Sequence, residues 1–311
     1  MNGILPFIKA ALKPKVAIIL AAAFIVAAAS AVFVRRHLRS VPPRESRTSN
    51  PAAAIPSVDP FVVVFIDDKT EARLGPFPYD RAVYGKAVDV AADEGARAVV
   101  VKFFLDKPKT AIGDEALARA MTRIPVVLQA RIDDSESDAN ELPDRFVLNF
   151  QPGEKWDVYS GQSGWIPLPL FSRVGADVGF IDIRALDSVP LVERYRGKYV
   201  KSLFLSCLEA ATGEKTRFAG KQSVQLGSRR VQLNDHGESA ASYPDRDDMP
   251  SISFADFVDR KPHASMKDRV VIIAYDSSRF EAIDTPMGKV RPHRVFYYAL
   301  GSLYRSSFPA R

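Results

Sequence analysis

Val16 to Val34 is an unbroken run of 19 residues in which Ser30 is the only polar side chain. At about 1.5 Å rise per residue, a helix of that length covers roughly the 30 Å hydrocarbon core of a bilayer. The run therefore predicts one N-terminal transmembrane helix, anchored through residues such as Val16, Ile19, Phe24 and Val34. A cleaved leader is the rival reading, because Ala27, Ala29 and Ala31 offer small-residue cleavage sites. The apolar run, however, continues through Val32, Phe33 and Val34 before Arg35 and Arg36. Lys9, Lys13 and Lys15 precede the span and Arg35, Arg36 and Arg39 follow it, so basic flanks alone do not orient it. The simpler insertion leaves residues 1–15 as a short cytoplasmic tail and carries the long C-terminal part across.

Residues 35–59 carry no periodicity and are rich in Pro, Ser, Arg and Ala, which predicts a linker. Beyond it the pattern alternates between short apolar runs and helical spacing. Phe61–Ile66 is wholly apolar and β-rich and predicts a buried strand. Asp67-Asp68 end it, Pro76 and Pro78 mark a loop, and Asp80 caps an expected helix over 81–94 that Gly95 closes. Strands over 98–101 and 126–130 then flank a helix over 114–122, a β-α-β-α-β order that favours parallel pairing. Residues 132–175 read as an irregular insertion with a candidate strand at 146–150. Order returns with a strand at 178–183, a helix at 200–211 ended by Gly213, and a hairpin joining 223–226 to 229–233 through Gly227-Ser228. A short helix at 251–258, a buried strand at 270–274 and a closing helix at 295–304 complete the order. The fold class expected is α/β: a central, mostly parallel sheet flanked by helices, with an added β-hairpin and an irregular insertion.

Charge changes the picture in one respect. The net +6 resides in the first 50 residues, where eight Lys and Arg meet one acidic residue, Glu45. The remaining residues carry 35 basic and 36 acidic side chains. The domain is thus near neutral and offers no basic face for nucleic acid. Cys207 is the only cysteine, which excludes an intrachain disulfide and a four-thiolate metal site. His37, His236, His263 and His293 do not pair at metal-ligand spacing, and no metal or other cofactor is expected.

Candidate chemistry is sparse. Asp67-Asp68 follow a buried strand, where ligands of open α/β sheets bind. A phosphatase nucleophile strand needs two Asp one residue apart, whereas these are adjacent, so turn and capping duty competes with cleft lining. The stretch after the last strand holds Asp276, Arg279, Glu281, Asp284, Arg291 and His293, a mixed-charge segment suited to a small polar ligand or simply to solvent.

With these residues in hand, the chain resembles the CHASE type-two family, a sensory domain found outside the membrane in bacterial cyclases and kinases. The likeness is carried by Phe61–Asp68, by Leu74-Gly75-Pro76-Phe77-Pro78-Tyr79-Asp80-Arg81, and by Glu94–Val99. Asp187–Leu191, Tyr199–Leu208, Asn234–Tyr243, Pro250–Asp256, Arg269–Ala274 and Thr285-Pro286-Met287-Gly288 follow in family order. Three departures stand out: Phe77 where Trp is usual, Lys102 where the second strand normally ends in Asp, and Val295-Phe296-Tyr297 in place of a Glu-x-His.

The resemblance implies an extracytoplasmic (periplasmic) domain over 60–306 on a single-pass inner-membrane anchor. Since the sequence given stops at Arg311 without a kinase or cyclase module, the expected role is a non-enzymatic sensory or interaction subunit acting through another envelope or signalling protein. Self-association and contact with membrane lipid are the other expected partnerships. A scaffold using Phe296, Tyr297, Tyr298 and Tyr304 as a docking face is the alternative, with burial of those rings as its bland counterpart. A hydrolase using Asp67 or Asp68 ranks below both. The residues singled out for ligand contact are Asp67, Asp68, Arg81, Lys102, Asp276, Arg279 and Arg291.

Overall fold

The computed structural model describes residues 60–149, 156–218 and 222–307. The expected span over 16–34, its anchor residues and the linker lie outside them. Among the described residues, no helix is long and apolar enough to cross a membrane.

The centre is a parallel sheet. Strand β1 (Phe61–Ile66) pairs with β15 (Val270–Tyr275) along its whole length, and β15 pairs in turn with β2 (Ala98–Lys102). β2 continues to β3 (Val126–Ile132), and β3 to β6 (Asp177–Phe180), all parallel. A two-residue strand, β14 (Ile252–Ser253), closes the β1 edge in parallel, while β5 (Gly164–Trp165) pairs antiparallel at the end of β3. The parallel pairing expected from the β-α-β-α-β order is present, with β15 lying between β1 and β2. All three strands are buried at every position, so their apolar runs permit any of these orders.

Alternation sorts the side chains into two cores. Val62, Val64, Val99, Val101, Val271 and Ile273 face one layer with helices α2 (Arg81–Asp93), α3 (Ala111–Ala120) and α6 (Phe254–Val258). Val63, Phe65, Val100, Ile272 and Ala274 face the other, with α5 (Leu203–Thr212) and α7 (Pro292–Ser307). Helix α2 begins where expected, with Asp80 accepting from the Ala82 N–H at 2.9 Å. It buries Tyr84, Ala87, Val88 and Ala91, which share one face at helical spacing. Gly179 lets α5 approach β6: a β carbon there would stand 2.5 Å from the Leu203 Cα.

Several elements differ from their expected bounds. Asp68–Leu74 is a helix, α1, where a turn was expected, because Asp67 caps it and Gly75 ends it. The helix expected to start at 200 begins at Leu203; Lys198–Lys201 is instead β9, paired antiparallel with β8 (Val192–Tyr195). The two adjacent buried residues Tyr199 and Val200 fit either period, which explains the difference. The candidate strand at 146–150 is a single 3₁₀ turn over Asp144–Phe146 and one bridge from Val147 to Val200; residue 150 lies outside the described residues. Residues 252–253 form β14 before the short α6, and 188–190 pair with 238–240 as β7 and β13. The expected hairpin is present as β11 (Ser223–Leu226) and β12 (Arg229–Gln232), extended by β10 (Thr216–Phe218). The Thr285–Gly288 motif turns between β16 (Ile283–Thr285) and β17 (Gly288–Val290). There Gly288 has φ +91°, which side-chain-bearing residues adopt at a cost, and Thr285 Oγ1 donates to its carbonyl at 2.7 Å.

Candidate functional site

The carboxyl ends of β1, β15 and β2 bring together most of the residues singled out in the sequence. Asp67 caps α1: it accepts from Thr70 N at 2.9 Å, from Thr70 Oγ1 at 2.6 Å and from Ser253 Oγ at 2.9 Å. This ties α1 to β14. Asp68 accepts from Ser277 Oγ and Ser278 N, both at 2.7 Å. Those bonds, the Ser277 hydroxyl foremost, hold its carboxyl below the usual aspartate value.

Sequence reasoning missed Glu71, which the new helix turns inward. It accepts from Phe77 N at 3.0 Å, from Tyr275 Oη at 3.2 Å and from Ser277 Oγ, and it pairs with Arg279 Nε at 3.5 Å. Burial raises its carboxyl, but the bonds from Ser277, Phe77 and Tyr275 outweigh this and leave it lowered. Ser277 has a single hydroxyl proton to share between Asp68 and Glu71. The sequence signal for Glu71 was available only as a helix phase, four residues after the cap.

Asp276 is buried at 3 % exposure. Its Oδ2 accepts from Arg294 Nε at 2.7 Å and lies 3.4 Å from an Arg291 nitrogen, while Oδ1 has no partner among the described residues. Burial pushes its carboxyl up despite both arginines. Arg294 reaches on to Asp247 at 3.1 Å, and Asp247 accepts from Tyr298 Oη at 2.8 Å. His293 Nδ1 accepts from the Tyr275 N–H at 3.0 Å, which places the ring proton on Nε2. Burial and the neighbouring Lys102 hold His293 well below the usual histidine value.

Two of the sequence candidates serve other duties. Arg81 is buried and pairs with Asp114 at 3.1 Å; it also donates to the Lys107 carbonyl and lies over the Phe171 ring. It joins α2 to α3 and takes no part in the cluster. Lys102, at 5 % exposure, makes no ion pair among the described residues, and its Nζ sits 4.6 Å from the Phe296 ring centroid. Burial pushes its amine down to about 7, opposed only by Cys207.

This cluster is a packed network whose charges mostly satisfy one another. Within it the Ser277 hydroxyl donates to both Asp68 and Glu71, and Asp67 and Asp68 are engaged by hydroxyls and backbone donors. Among the described residues no group of three His, Cys, Asp or Glu is placed to hold a metal ion.

A cavity lies along the β1 edge. It has a volume of about 650 Å³, within the range of small-molecule sites. Pro250, Arg269, Tyr297, Tyr298 and Arg305 are among its lining residues. The opening follows from the edge: β14 covers only Val64 and Phe65, and Pro250, two residues before it, has no N–H for the ladder. Phe61 at the start of β1 meets Tyr304 near the end of α7 edge-on, with ring centroids 5.7 Å apart. Both ends of the described domain therefore converge beside this groove. Tyr298 lines it and carries the hydrogen bond to Asp247, so the charged network reaches its wall.

The aromatic residues considered as a docking face are largely internal. Phe296 is fully buried, and Tyr297 and Tyr298 retain 9 % and 7 % exposure. They follow helical spacing into the core and the groove wall rather than forming an outer surface.

In comparison with known proteins, the family model of the CHASE2 domain matches residues 21–306. No curated protein and no solved structure matches the chain.

Proposed function

The chain belongs to the CHASE2 domain family, an extracellular sensory domain family, and from that premise we propose that it is a membrane-anchored, extracytoplasmic sensory or interaction subunit that acts through a partner protein. The groove beside β1 is its recognition surface. The observation that carries this reading is the convergence of Phe61 and Tyr304 at the groove. A ligand seated between β1 and α7 shifts the two ends of the domain relative to each other, and those ends are where a neighbouring chain can read the change. The engagement of Asp67 and Asp68 in capping and hydroxyl hydrogen bonds favours a non-enzymatic role, and the burial of Phe296, Tyr297 and Tyr298 favours sensing over a docking face on α7.

Two measurements test this. Protease added to intact spheroplasts should digest the large domain; protection would overturn the orientation. The full-length chain in detergent should melt at a higher temperature with one member of a polar-metabolite panel, because a ligand that binds only the folded state stabilises it by mass action. The shift should be lost in Tyr298→Ala. A panel without effect, together with a stoichiometric protein captured from solubilised membranes, would replace sensing with assembly.

A further inference from the structure

A second buried acidic group stands apart from both the cluster and the groove. Asp182 follows β6 and is buried, and Glu193 on β8 is fully buried. Asp182 accepts from Ile132 N at 3.1 Å and from Arg131 Nε at 3.3 Å. Neither carboxyl oxygen of Glu193 finds a donor among the described protein groups, yet its side chain is within hydrogen-bonding reach of Asp182. Two carboxyl groups in contact bond only when one of them holds a proton.

The location gives that proton leverage. Asp182 is fixed to the end of the main sheet by the Ile132 N–H. Glu193 belongs to the small sheet of β4 (Ser160–Gly161), β8 and β9, opposite Val200. The charged and titratable groups facing the pair are Arg131 from β3, Arg184 from the loop after β6, and Tyr159 from the lead-in to β4. Arg131 binds Asp182 directly but is about half exposed. Arg184 lies with its guanidinium 3.9 Å above the Tyr159 ring. Tyr159 and Arg184 also line a second cavity, of about 440 Å³, with His236 and Glu238.

We propose that Asp182 and Glu193 share one proton and form a proton-operated latch between the main sheet and the β4–β8–β9 sheet, so that the domain responds to extracytoplasmic pH. With the proton in place, Glu193 donates to Asp182 and adds a link at β8 to the Phe180–Ser202 bridge that already ties β6 to the end of β9. When the proton leaves to water, two carboxylates face each other in a buried site with only Arg131 and Arg184 to offset them. The repulsion separates β8 from the end of β6 and alters the wall of the second cavity through Arg184 and Tyr159.

The direction of the pH effect follows. Burial first, and the Asp182 charge second, push the Glu193 carboxyl well above the ordinary glutamate value. The folded state thus holds a proton that the unfolded chain releases, and stability falls as pH rises from the unfolded glutamate value, about 4.3, towards the raised folded value. Below that window this contribution is constant.

The test uses the full-length chain in detergent. Infrared difference spectra should show a protonated carboxylic acid carbonyl at neutral pH that disappears in Glu193→Gln. Between mildly acidic and neutral pH, below the window in which Lys102 titrates, the melting temperature of the wild type should fall, and amide exchange, corrected for intrinsic rates, should rise in 192–195. Glu193→Gln keeps a donor towards Asp182 without a titrating proton, and should flatten both profiles. An identical pH profile in Glu193→Gln, or no acid carbonyl in the wild type at neutral pH, would overturn the latch. If Glu193→Gln does not fold, the infrared band in the wild type decides alone: its titration with the exchange of β8 supports the latch, and its absence refutes it. A metabolite-induced melting shift that persists in Glu193→Gln separates this inference from the groove.

Discussion

Two lysines, Lys102 and Lys201, are buried against the same helix, α5, and meet opposite electrostatic fates. Lys201 at the end of β9 contacts the Asp177 carboxylate and lies 2.9 Å from Glu209 on α5. Burial alone pulls its ammonium down, but the two carboxylates outweigh this and hold it above the ordinary lysine value. Lys102 at the end of β2 has Cys207 of the same helix as its electrostatic neighbour and a phenyl face beside it, but no carboxylate. Its amine is pushed down to about 7. Similar burial thus yields a charged lysine in one place and a half-neutral one in the other. Partners decide, because desolvation disfavours the charge at both sites while Coulomb attraction restores it only where carboxylates are within reach.

The comparison is broken most severely from the Lys201 side. Lys201→Met leaves Asp177 and Glu209 buried with only the exposed Lys215, 3.1 Å from Glu209, to compensate. The expected loss is about 3–5 kcal/mol of unfolding free energy in urea titration, the size found when one partner of a buried pair is removed. A loss under about 1 kcal/mol would show that the triad is solvated. Adding Asp177→Asn and Glu209→Gln to Lys201→Met should recover roughly 1–3 kcal/mol of that loss, since the uncompensated charges are then gone; no recovery would assign the cost to packing.

Lys102→Met should act in the opposite sense. The folded amine, lowered to about 7, binds a proton less readily than the unfolded chain, whose lysine titrates near 10.4. Stability of the wild type therefore rises as pH climbs from about 7 towards 10, and the full cost of the buried charge is present below that window. Methionine removes this dependence. Lys102→Met should be more stable by about 1–3 kcal/mol near neutral pH, with the gain fading towards pH 10. A gain independent of pH would point to better packing on Phe296 instead. The smallest effect sets the baseline: Lys198, at the other end of β9, pairs with Asp144 in solvent, with side chains 56 % and 86 % exposed. Lys198→Ala should change the denaturation midpoint by no more than about 0.5 kcal/mol equivalent. A larger change would mean that β9 itself, rather than charge, governs the Lys201 result.

Much of the scaffold was legible because it obeys period rules. The wholly apolar runs at 61–66, 98–101 and 270–274 announced buried strands, and Asp80 with Gly95 bracketed a helix through capping chemistry. The departures have local causes. Helix α1 was hidden because its first turn, Asp68-Lys69-Thr70-Glu71, is polar and reads as a turn until Asp67 is seen to cap it. β9 was absorbed into α5 because a four-residue strand with two central apolar residues carries no distinct period.

The site residues divide in the same manner. Asp67, Asp68, Asp276, Arg279 and Arg291 were placed together by one rule, that strand ends in parallel sheets gather polar residues. Their detailed roles were not legible. Glu71 and Arg294, each three residues beyond a residue singled out, and Asp247 from a separate segment complete the network, and Arg81 proved to be a buried tie to Asp114, 33 residues away.

The sequence by itself pointed to an α/β domain over 60–306, near neutral in charge, with buried central strands, because apolar runs, composition and caps are local properties of the chain. Only the tertiary structure decided that β15 lies between β1 and β2, that Lys201 is held charged by two carboxylates while Lys102 has none, and that Glu193 is buried with no donor to its carboxyl among the described residues. Those outcomes depend on distances between segments far apart in the chain and on the water excluded between them, and neither is written in any one stretch of residues.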